Sequence, residues 1–197
     1  AGVAAAQPAG WKAVLIAGDN QEPAFDNAVE AMADKLAMFG VPRADMTVLE
    51  ASANAGEAST GPNIRDALSH LDLRPGEGCF VYLTSHGAHG RGLVMRRARA
   101  FLSPDDLDHL RYQGCGDHPT VVIASGCYSG IFAEAPSAAP NRVVLTAARP
   151  DRPSFGCNAQ LKYTVFDRCT LENIQPGSSW TVQKLLNLSA ERPLAKG

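Results

Sequence analysis

Aromatic residues and long apolar runs are both scarce in this sequence of 197 residues, in which aromatic side chains make up 7%. A helix needs about 20 apolar residues to cross a bilayer. No run of that length is present, so we expect a soluble chain without a membrane span. The formal net charge of −2 comes from interspersed acids and bases. Since a surface for nucleic acid normally carries a basic excess, we do not expect nucleic acid as a partner.

Cysteine is scarce as well, and its odd number leaves the redox state open. An exported protein would carry one free thiol and up to two disulfides, whereas a cytosolic protein would keep all five thiols reduced. The opening AGVAAAQPAG has no Met and no apolar signal core, as in a chain from which a leader has been cut. These features favour export, and we expect the bacterial periplasm. The cysteines are Cys79, Cys115, Cys127, Cys157 and Cys169.

The length and composition predict one domain. The residues are 45% hydrophobic and 19% charged, which supplies enough apolar material for a sizeable core. A second full domain would not fit comfortably in the remaining length. We predict a flexible N-terminal arm over residues 1–10 and a single domain over residues 11–197.

Apolar segments that read as strands alternate with amphipathic segments that read as helices. Such alternation predicts an α/β sandwich with a mostly parallel sheet. The segment 89–103 is a hairpin or an irregular excursion, and the segment 150–169 is rich in loops. The predicted strands are WKAVLIAGDN, MTVLEAS, CFVYLTSHG, PTVVIASGC and NRVVLTAAR. The predicted helices are AFDNAVEAMADKLAMFG, IRDALSHLDL opened by Asn63, PDDLDHLRYQ, a short helix or turn in YSGIFAEA, and SSWTVQKLLNLSA.

A histidine and a cysteine follow two of these strands. His86 ends the third strand beside Gly87, and Cys127 ends the fourth strand among small residues. The working residues of parallel sheets gather beyond the carboxyl ends of the strands. If the third and fourth strands are neighbours about 4.8 Å apart, the two side chains come within reach of one another.

This pair has the chemistry for acyl transfer. A thiolate is the reactive form of cysteine, and an imidazole can help to generate it and later protonate a leaving amine. The amides of Gly87 and Cys127 could then stabilise a developing oxyanion. Taken singly, Cys127 is a small residue suited to burial and His86 a structural side chain. Their positions at the ends of two adjacent strands make a catalytic pair as well supported as two purely structural residues.

The blocks VYLTSHGAHG and VVIASGCYSG together resemble the paired blocks of the caspase-like cysteine peptidases, in which strands end in His-Gly and Ala/Ser-Cys-x-Ser-Gly. The closer similarity is to the legumain family, peptidase family C13, particularly its bacterial members. Further support comes from IAGDNQEPAFDNAVEAM, LTAARPDRPSFGC and YTVFDRC, so that the similarity extends from about Trp11 to about Cys169. It implies a three-layer caspase-like sandwich around a mostly parallel sheet.

The resemblance also implies roles for individual residues. His86 would be the catalytic acid and base, Cys127 the nucleophile, and the amides of Gly87 and Cys127 the oxyanion hole. Ser85 stands where relatives commonly carry Asp or Gly.

The substrate pocket that the family implies is altered here. Positions that line the legumain P1 pocket correspond to Asp26, Asn27 and Tyr128, and Arg168 lies near a later acidic position. Asp26 would favour a basic substrate side chain, whereas Arg168 could neutralise that acid or recruit an acidic side chain. The alternative role for Asp26 is to cap the helix that begins near it.

Metal and cofactor sites are not expected. His86, His89, His118 and Cys115 lack the compact spacing of zinc ligands. Neither a dinucleotide-binding fingerprint, a phosphate-loop lysine nor a G-x-S-x-G elbow is present. Two disulfides are conceivable, Cys157 with Cys169 around the substrate-side loop and, less strongly, Cys79 with Cys115, while the alternative is that all four are unpaired.

Three functions are compatible with these residues. The first is a cysteine endopeptidase that cleaves peptides or proteins through a thioester on Cys127. The second is a transamidase or ligase, in which an amine resolves the same acyl-enzyme. The third is a binding module that keeps the fold without catalysis, which the intact His86 and Cys127 argue against. The oligomeric state is left open.

Overall fold

The computed structural model describes residues 8–54, 57–134, 141–154 and 160–174. The strands within these residues are Gly10–Ala17 (β1), Met46–Leu49 (β2), Glu77–Thr84 (β3), Gly87–Ala88 (β4), Gly92–Met95 (β5), Ala100–Leu102 (β6), Thr120–Ser125 (β7) and Arg142–Thr146 (β8). The helices are Pro23–Met38 (α1), Gly61–Ser69 (α2), Pro104–Cys115 (α3) and Val165–Asn173 (α4). Short 3-10 turns cover Arg43–Asp45 and Ser129–Ala133.

The main sheet has five strands in the order β2-β1-β3-β7-β8, and every neighbouring pair is parallel. Its central strands are buried on both faces, which explains why their sequences are nearly continuous apolar runs. The prediction of a mostly parallel α/β sheet is therefore confirmed. The predicted neighbourhood of the third and fourth strands is also confirmed, since these are β3 and β7.

Helices cover both faces of the sheet and make a three-layer sandwich. On one face, Phe25 and Met32 of α1 pack with Leu15 and Tyr82, and α4 joins the same layer. On the other face lie α2, α3 and the inner side of β5 and β6. Each large apolar side chain that is fully buried in these layers contributes about 1.5–3 kcal/mol to the free energy of unfolding. The two cores hold the strand ends in fixed positions, as a site at the sheet edge requires.

Helices α2, α3 and α4 begin where the sequence supplies a capping hydroxyl. Ser103 forms a capping box with Asp106 at the start of α3, and Thr164 accepts the N–H of Asp167 at the start of α4. Thr60 caps α2, which therefore begins at Gly61 and earlier than the predicted Asn63.

The region between β3 and α3 is regular. Strands β4, β5 and β6 form a small antiparallel sheet in the segment that was predicted as a hairpin or an irregular excursion. Leu93, Met95 and Leu102 point into the core shared with α2 and α3, so this small sheet is anchored to the main body.

The remaining segments differ from the sequence predictions in detail. Helix α4 lies in the segment predicted to be rich in loops. At the N-terminus, β1 already begins at Gly10, and the Ala9 N–H donates to the Gly76 carbonyl at 2.7 Å. The predicted final helix, SSWTVQKLLNLSA, and residues 1–7 of the predicted arm lie outside the described residues.

A disulfide joins Cys79, near the start of β3, to Cys115 at the end of α3. It was the weaker of the two predicted pairs. Cys127 and Cys169 are free thiols, and Cys157 of the other predicted pair lies outside the described residues. None of the helices in the described part of the chain combines the length and the apolar character needed to cross a membrane.

Candidate active site

His86 and Cys127 lie side by side at the carboxyl edge of the main sheet. In the register of β3 and β7, Thr84 is opposite Ser125, and the Ser85 N–H still donates to the Ser125 carbonyl at 3.0 Å. Two residues further along both strands, His86 and Cys127 occupy equivalent positions. The structure thus brings together the two residues that the sequence predicted as a pair.

The imidazole of His86 is held against helix α1. Its ring meets the ring of Phe25 edge to face, with 5.1 Å between the centroids. Phe25 is fully buried, so it provides a fixed apolar surface for one side of the imidazole. His86 itself is partly exposed, which leaves the ring accessible from the solvent side.

The thiol of Cys127 lies in a turn that is fixed by the segment after β8. The Cys127 Sγ is 3.8 Å from the Ser154 carbonyl oxygen. The next residue, Tyr128, has a left-handed backbone with φ 58°, and its N–H donates to the Arg152 carbonyl at 3.0 Å. The thiol is partly buried and stands at the point where the chain turns away from the sheet.

Glycines allow the segments that carry His86 and Cys127 to touch through their backbones. A Cβ atom at Gly87 would stand 1.8 Å from the Cys127 carbonyl oxygen, and one at Gly126 would stand 2.7 Å from the Ser85 carbonyl oxygen. No side chain fits in either place. The glycines that border His86 and Cys127 in the sequence are therefore required by this close approach.

Two backbone N–H groups at this edge have no partner in the adjoining strand. Gly87 faces Leu93 in the β4–β5 ladder, and the Val94 N–H donates to the His86 carbonyl at 2.8 Å. That pattern makes Gly87 and Leu93 a non-hydrogen-bonded pair, in which the Gly87 N–H points away from β5. Among the residues that the structure describes, the Cys127 N–H also has no hydrogen-bond acceptor.

Ser129 connects the cysteine turn to the end of β8. Its hydroxyl accepts the N–H groups of Ala147 and Ala148 at 3.0 and 3.2 Å, and the side chain is buried. A Cβ at Gly130 would stand 2.4 Å from the Pro150 nitrogen. These contacts account physically for the Ser-Gly that follows Cys127 by two and three positions.

The predicted substrate residues are spread along the same edge. Both carboxylate oxygens of Asp26 accept hydrogen bonds from the loop after β2: Oδ1 from the Ala51 N–H at 2.8 Å, and Oδ2 from the N–H and hydroxyl of Ser52. The N-cap of α1 is Glu22, so the alternative that Asp26 caps this helix is wrong. Asn27 donates to the Lys162 carbonyl at 3.1 Å.

Tyr128 and Arg168 have different surroundings. The Tyr128 ring meets the ring of His89 edge to face at 5.1 Å, directly beside the Cys127 turn. Arg168 is exposed on α4, while its neighbour Asp167 points inward. Of the four predicted pocket residues, Tyr128 is the one whose backbone is continuous with the candidate nucleophile.

A buried carboxyl group that the sequence reasoning missed lies beneath this edge. Asp167 is completely buried and accepts hydrogen bonds from the hydroxyls of Tyr82, Thr84 and Thr164 at 2.6, 2.8 and 2.7 Å. Burial raises the pKa of Asp167, although these hydroxyls act in the opposite direction. The Thr-x-x-Asp spacing of Thr164 and Asp167, which is that of a capping box, could have indicated the start of α4 and drawn attention to this acid.

A second group missed from the sequence is the buried acid after β1. Asp19 accepts hydrogen bonds from Arg96 Nε at 2.6 Å, from Arg96 Nη2 at 2.9 Å and from the Gln21 N–H at 2.9 Å. Burial alone would raise the pKa of Asp19, but the Arg96 and Gln21 hydrogen bonds outweigh it and hold the pKa below its usual range. The carboxylate is therefore ionised at neutral pH.

The histidines and cysteines considered for zinc are not gathered at one place. Cys115 is in the disulfide, and His118 Nδ1 lies 2.9 Å from the Glu77 carbonyl at the amino edge of the sheet. His86 lies at the opposite edge. Within the ranges that the structure describes, no group of three His, Cys, Asp or Glu side chains is arranged to hold a metal ion.

Comparison with known families gives an independent result. Residues 64–175 match the model of the peptidase C13 family. The match covers more than half of the 197 residues and contains both His86 and Cys127. No curated protein sequence matches the chain.

Proposed function

Because this chain belongs to the peptidase C13 family, we propose that it is an endopeptidase that cleaves peptide bonds through a thioester on Cys127, with His86 as general acid and base. The family supports a legumain-like cysteine peptidase in general, with peptides or proteins as substrates. The observation that best supports the mechanism is the register of β3 and β7, in which Thr84 is opposite Ser125, two residues before His86 and Cys127 respectively. Neighbouring parallel strands are about 4.8 Å apart, so imidazole and thiol lie within reach.

In the first step, the Cys127 thiolate attacks the carbonyl carbon of the scissile bond. His86 takes the thiol proton and delivers it to the leaving amine as the carbon–nitrogen bond breaks. The partly exposed imidazole and the partly buried thiol can both be reached by a peptide. The product of this step is a thioester on Cys127 and a free amine.

In the second step, water replaces the amine. His86 accepts a proton from the water molecule as its oxygen attacks the thioester carbonyl, and the thiol leaves with the return of that proton. A carboxylic acid product is released. An added amine in place of water would give a new peptide bond from the same thioester, which is the ligase alternative.

The tetrahedral intermediates of both steps carry a negative oxygen. The N–H groups of Gly87 and Cys127 are the donors that we assign to it, because neither is used by β5 or by another described group. Their backbones touch, as the close approach at Gly87 requires. One oxyanion donor commonly raises kcat by a factor of about 10²–10³, so this pair accounts for a substantial part of the expected rate acceleration.

For substrate recognition, we propose that Tyr128 forms a wall of the P1 pocket. Its position directly after Cys127 and its contact with His89 support this assignment. The Asp26 carboxylate already accepts hydrogen bonds from Ala51 and Ser52, so part of its acceptor capacity is occupied before any substrate arrives. Asn27 and Arg168 keep their predicted roles at the pocket margin. A peptide-library cleavage profile tests these assignments.

The experiment for the reaction itself compares the native chain with Cys127→Ala and Cys169→Ala. A peptidyl acyloxymethyl ketone should label the native chain and Cys169→Ala equally, and Cys127→Ala should show no labelling and no peptide cleavage. Labelling that persists in Cys127→Ala would refute the assignment of the nucleophile. Mass spectrometry of products, with and without an added amine, distinguishes hydrolysis from ligation.

We also propose that the protein acts in an oxidising compartment, and the bacterial periplasm is the one that the sequence favours. The disulfide between Cys79 and Cys115 supports this proposal, since such bonds persist mainly in exported proteins. Five reduced thiols in protein isolated from its native source would contradict it.

A further inference from the structure

Three residues stand side by side at the carboxyl ends of three neighbouring strands. Ala17 of β1 is opposite Thr84 of β3, and Thr84 is opposite Ser125 of β7. The Gly18 N–H continues this pairing by donating to the Thr84 carbonyl at 3.0 Å. Two residues beyond each strand, the order across the edge becomes Asp19, His86, Cys127. His86 therefore has the nucleophile on one side and a buried acid on the other.

Asp19 is bound to the segment that follows the histidine. Its partner Arg96 comes directly after β5, and the two side chains make the bidentate pair described above. The backbone joins the same contact, since the Arg96 N–H donates to the Gly18 carbonyl at 2.8 Å. Arg96 also donates to Gln21 Oε1 at 2.6 Å. The end of β1 and the end of β5 are thus connected by both side chains and backbone.

Strand β5 in turn holds the residues around His86. The Val94 N–H donates to the His86 carbonyl at 2.8 Å, and the Val94 carbonyl accepts the Ser85 hydroxyl at 2.7 Å. Gly18 makes room for this arrangement, because a Cβ there would stand 2.2 Å from the Val94 carbonyl oxygen. A shift of β5 would therefore move the backbone of His86 and, with it, the Gly87 N–H.

We propose that Asp19 and Arg96 are a positioning pair that holds His86 in place for reaction at Cys127. The inference rests on the proposed peptidase function. The pair acts through β5 and through the ionised carboxylate beside the histidine, and not by contact with the substrate. Because the pair is neutral as a whole, it adds little net charge to the substrate path.

Loss of this pair has a distinctive consequence for catalysis. A displaced His86 protonates the leaving group poorly, and an amide leaving group needs that proton whereas an activated aryl ester does not. A misplacement of about 1 Å can cost about 10²-fold in rate. A general loss of folded protein would instead lower the turnover of both substrates by the same factor.

The experiment measures kcat and KM of Asp19→Asn, Arg96→Gln and Arg96→Lys on one peptide prepared as an anilide and as an aryl ester. Titration with the acyloxymethyl ketone corrects for the active fraction. For Asp19→Asn and Arg96→Gln, we expect the anilide kcat/KM, which reports formation of the thioester, to fall about 10²-fold and the ester kcat/KM to fall less than about 10-fold. Arg96→Lys keeps the charge and should retain intermediate activity. Arg96 is partly exposed, so its variants serve if Asp19→Asn fails to fold.

Asp108→Asn provides the matched control. Asp108 also accepts two arginine donors, Arg111 Nη2 and Arg142 Nη1, both at 2.8 Å, and Arg142 begins β8 at the opposite edge of the sheet. In this variant, the ratio of the anilide kcat/KM to the ester kcat/KM, measured on titrated enzyme, should be unchanged. If Asp19→Asn behaves like Asp108→Asn, or loses both substrates equally, the positioning role is overturned while the proposed function stands. If the native chain turns over neither substrate, or if Cys127→Ala still turns them over, the proposed function fails and the positioning role fails with it.

Discussion

The two edges of the main sheet are built from the same strands but hold their polar groups differently. At the amino edge, the start of β3 is linked by the Cys79–Cys115 disulfide, and the start of β8 is bound through Arg142 to Asp108. His118 contacts the Glu77 carbonyl at this same edge. The cysteines at this edge are joined in a disulfide and its charged side chains form ion pairs, so these groups stabilise the fold and offer little to a substrate.

At the carboxyl edge, the arrangement is reversed. The Cys127 thiol and the His86 ring are partly exposed, and the Gly87 and Cys127 N–H groups are unused by the neighbouring strand or by another described group. The fixed groups, Asp19 and Asp167, lie behind or beneath them. Within the described residues, the amino edge thus pairs its charged groups and cysteines with one another, whereas the carboxyl edge leaves the Cys127 thiol and the His86 ring partly accessible above buried acids.

The largest expected effect is that of a single methyl group at the carboxyl edge. In Gly87→Ala, the new Cβ would overlap the Cys127 carbonyl oxygen at 1.8 Å, which forces the segments that carry His86 and Cys127 apart. Because one of the proposed oxyanion donors moves as well, kcat should fall at least about 100-fold. Steady-state kinetics on enzyme titrated for its active fraction measures this change.

Gly10→Ala is the corresponding change at the amino edge. A Cβ there meets only the Glu77 side chain, at 3.7 Å, which is ordinary van der Waals contact. Its kcat should match that of the native chain. Comparable losses in Gly10→Ala and Gly87→Ala would contradict the difference between the two edges.

At the amino edge, the expected effect is on stability. The double variant Cys79→Ala/Cys115→Ala removes a crosslink between residues 36 positions apart. A loop of that size predicts a loss of about 3–4 kcal/mol in the free energy of unfolding, chiefly through the unfolded state. Urea unfolding of the variant and of the oxidised native chain measures the difference, and the kcat per titrated site should stay the same. A large fall in that kcat would show that this edge takes part in the reaction after all.

The sequence predicted the elements that depend on local patterns. Continuous apolar runs gave the five main strands, and the glycines beside His86 and Cys127 marked the strand ends that carry the candidate dyad. Both signals are local because strand burial and backbone crowding act on consecutive residues. Helix α4 was missed because it is only nine residues long and turns an acid, Asp167, toward the core, so its apolar periodicity is weak.

The polar framework behind the dyad could not be predicted in the same way. Asp19 and Arg96 are 77 positions apart, and Tyr82 and Asp167 are 85 positions apart. Which acid meets which donor depends on the order of strands in the sheet, and no local pattern encodes that order. Asp26 illustrates the same difficulty, since its partners, Ala51 and Ser52, lie after a different strand.

The smallest effect concerns the acid buried beneath the carboxyl edge. Burial raises the pKa of Asp167 in the folded state above its ordinary value, which is about 3.9 in an unfolded chain. A raised folded-state pKa contributes stability that is fully present below the unfolded pKa and is lost as the pH rises through the folded pKa. Asp167→Asn cannot ionise, so its stability relative to the native chain should increase between pH 4 and pH 8.

Urea unfolding of Asp167→Asn and of the native chain at several pH values tests this sign. A relative loss for Asp167→Asn over the same range would mean that the three hydroxyls outweigh burial and favour the charged carboxylate. In that case, the carboxyl edge would be stabilised by its buried acid, as the amino edge is by its ion pairs. A relative gain for Asp167→Asn would establish that the edge with the candidate dyad is held at a cost in stability.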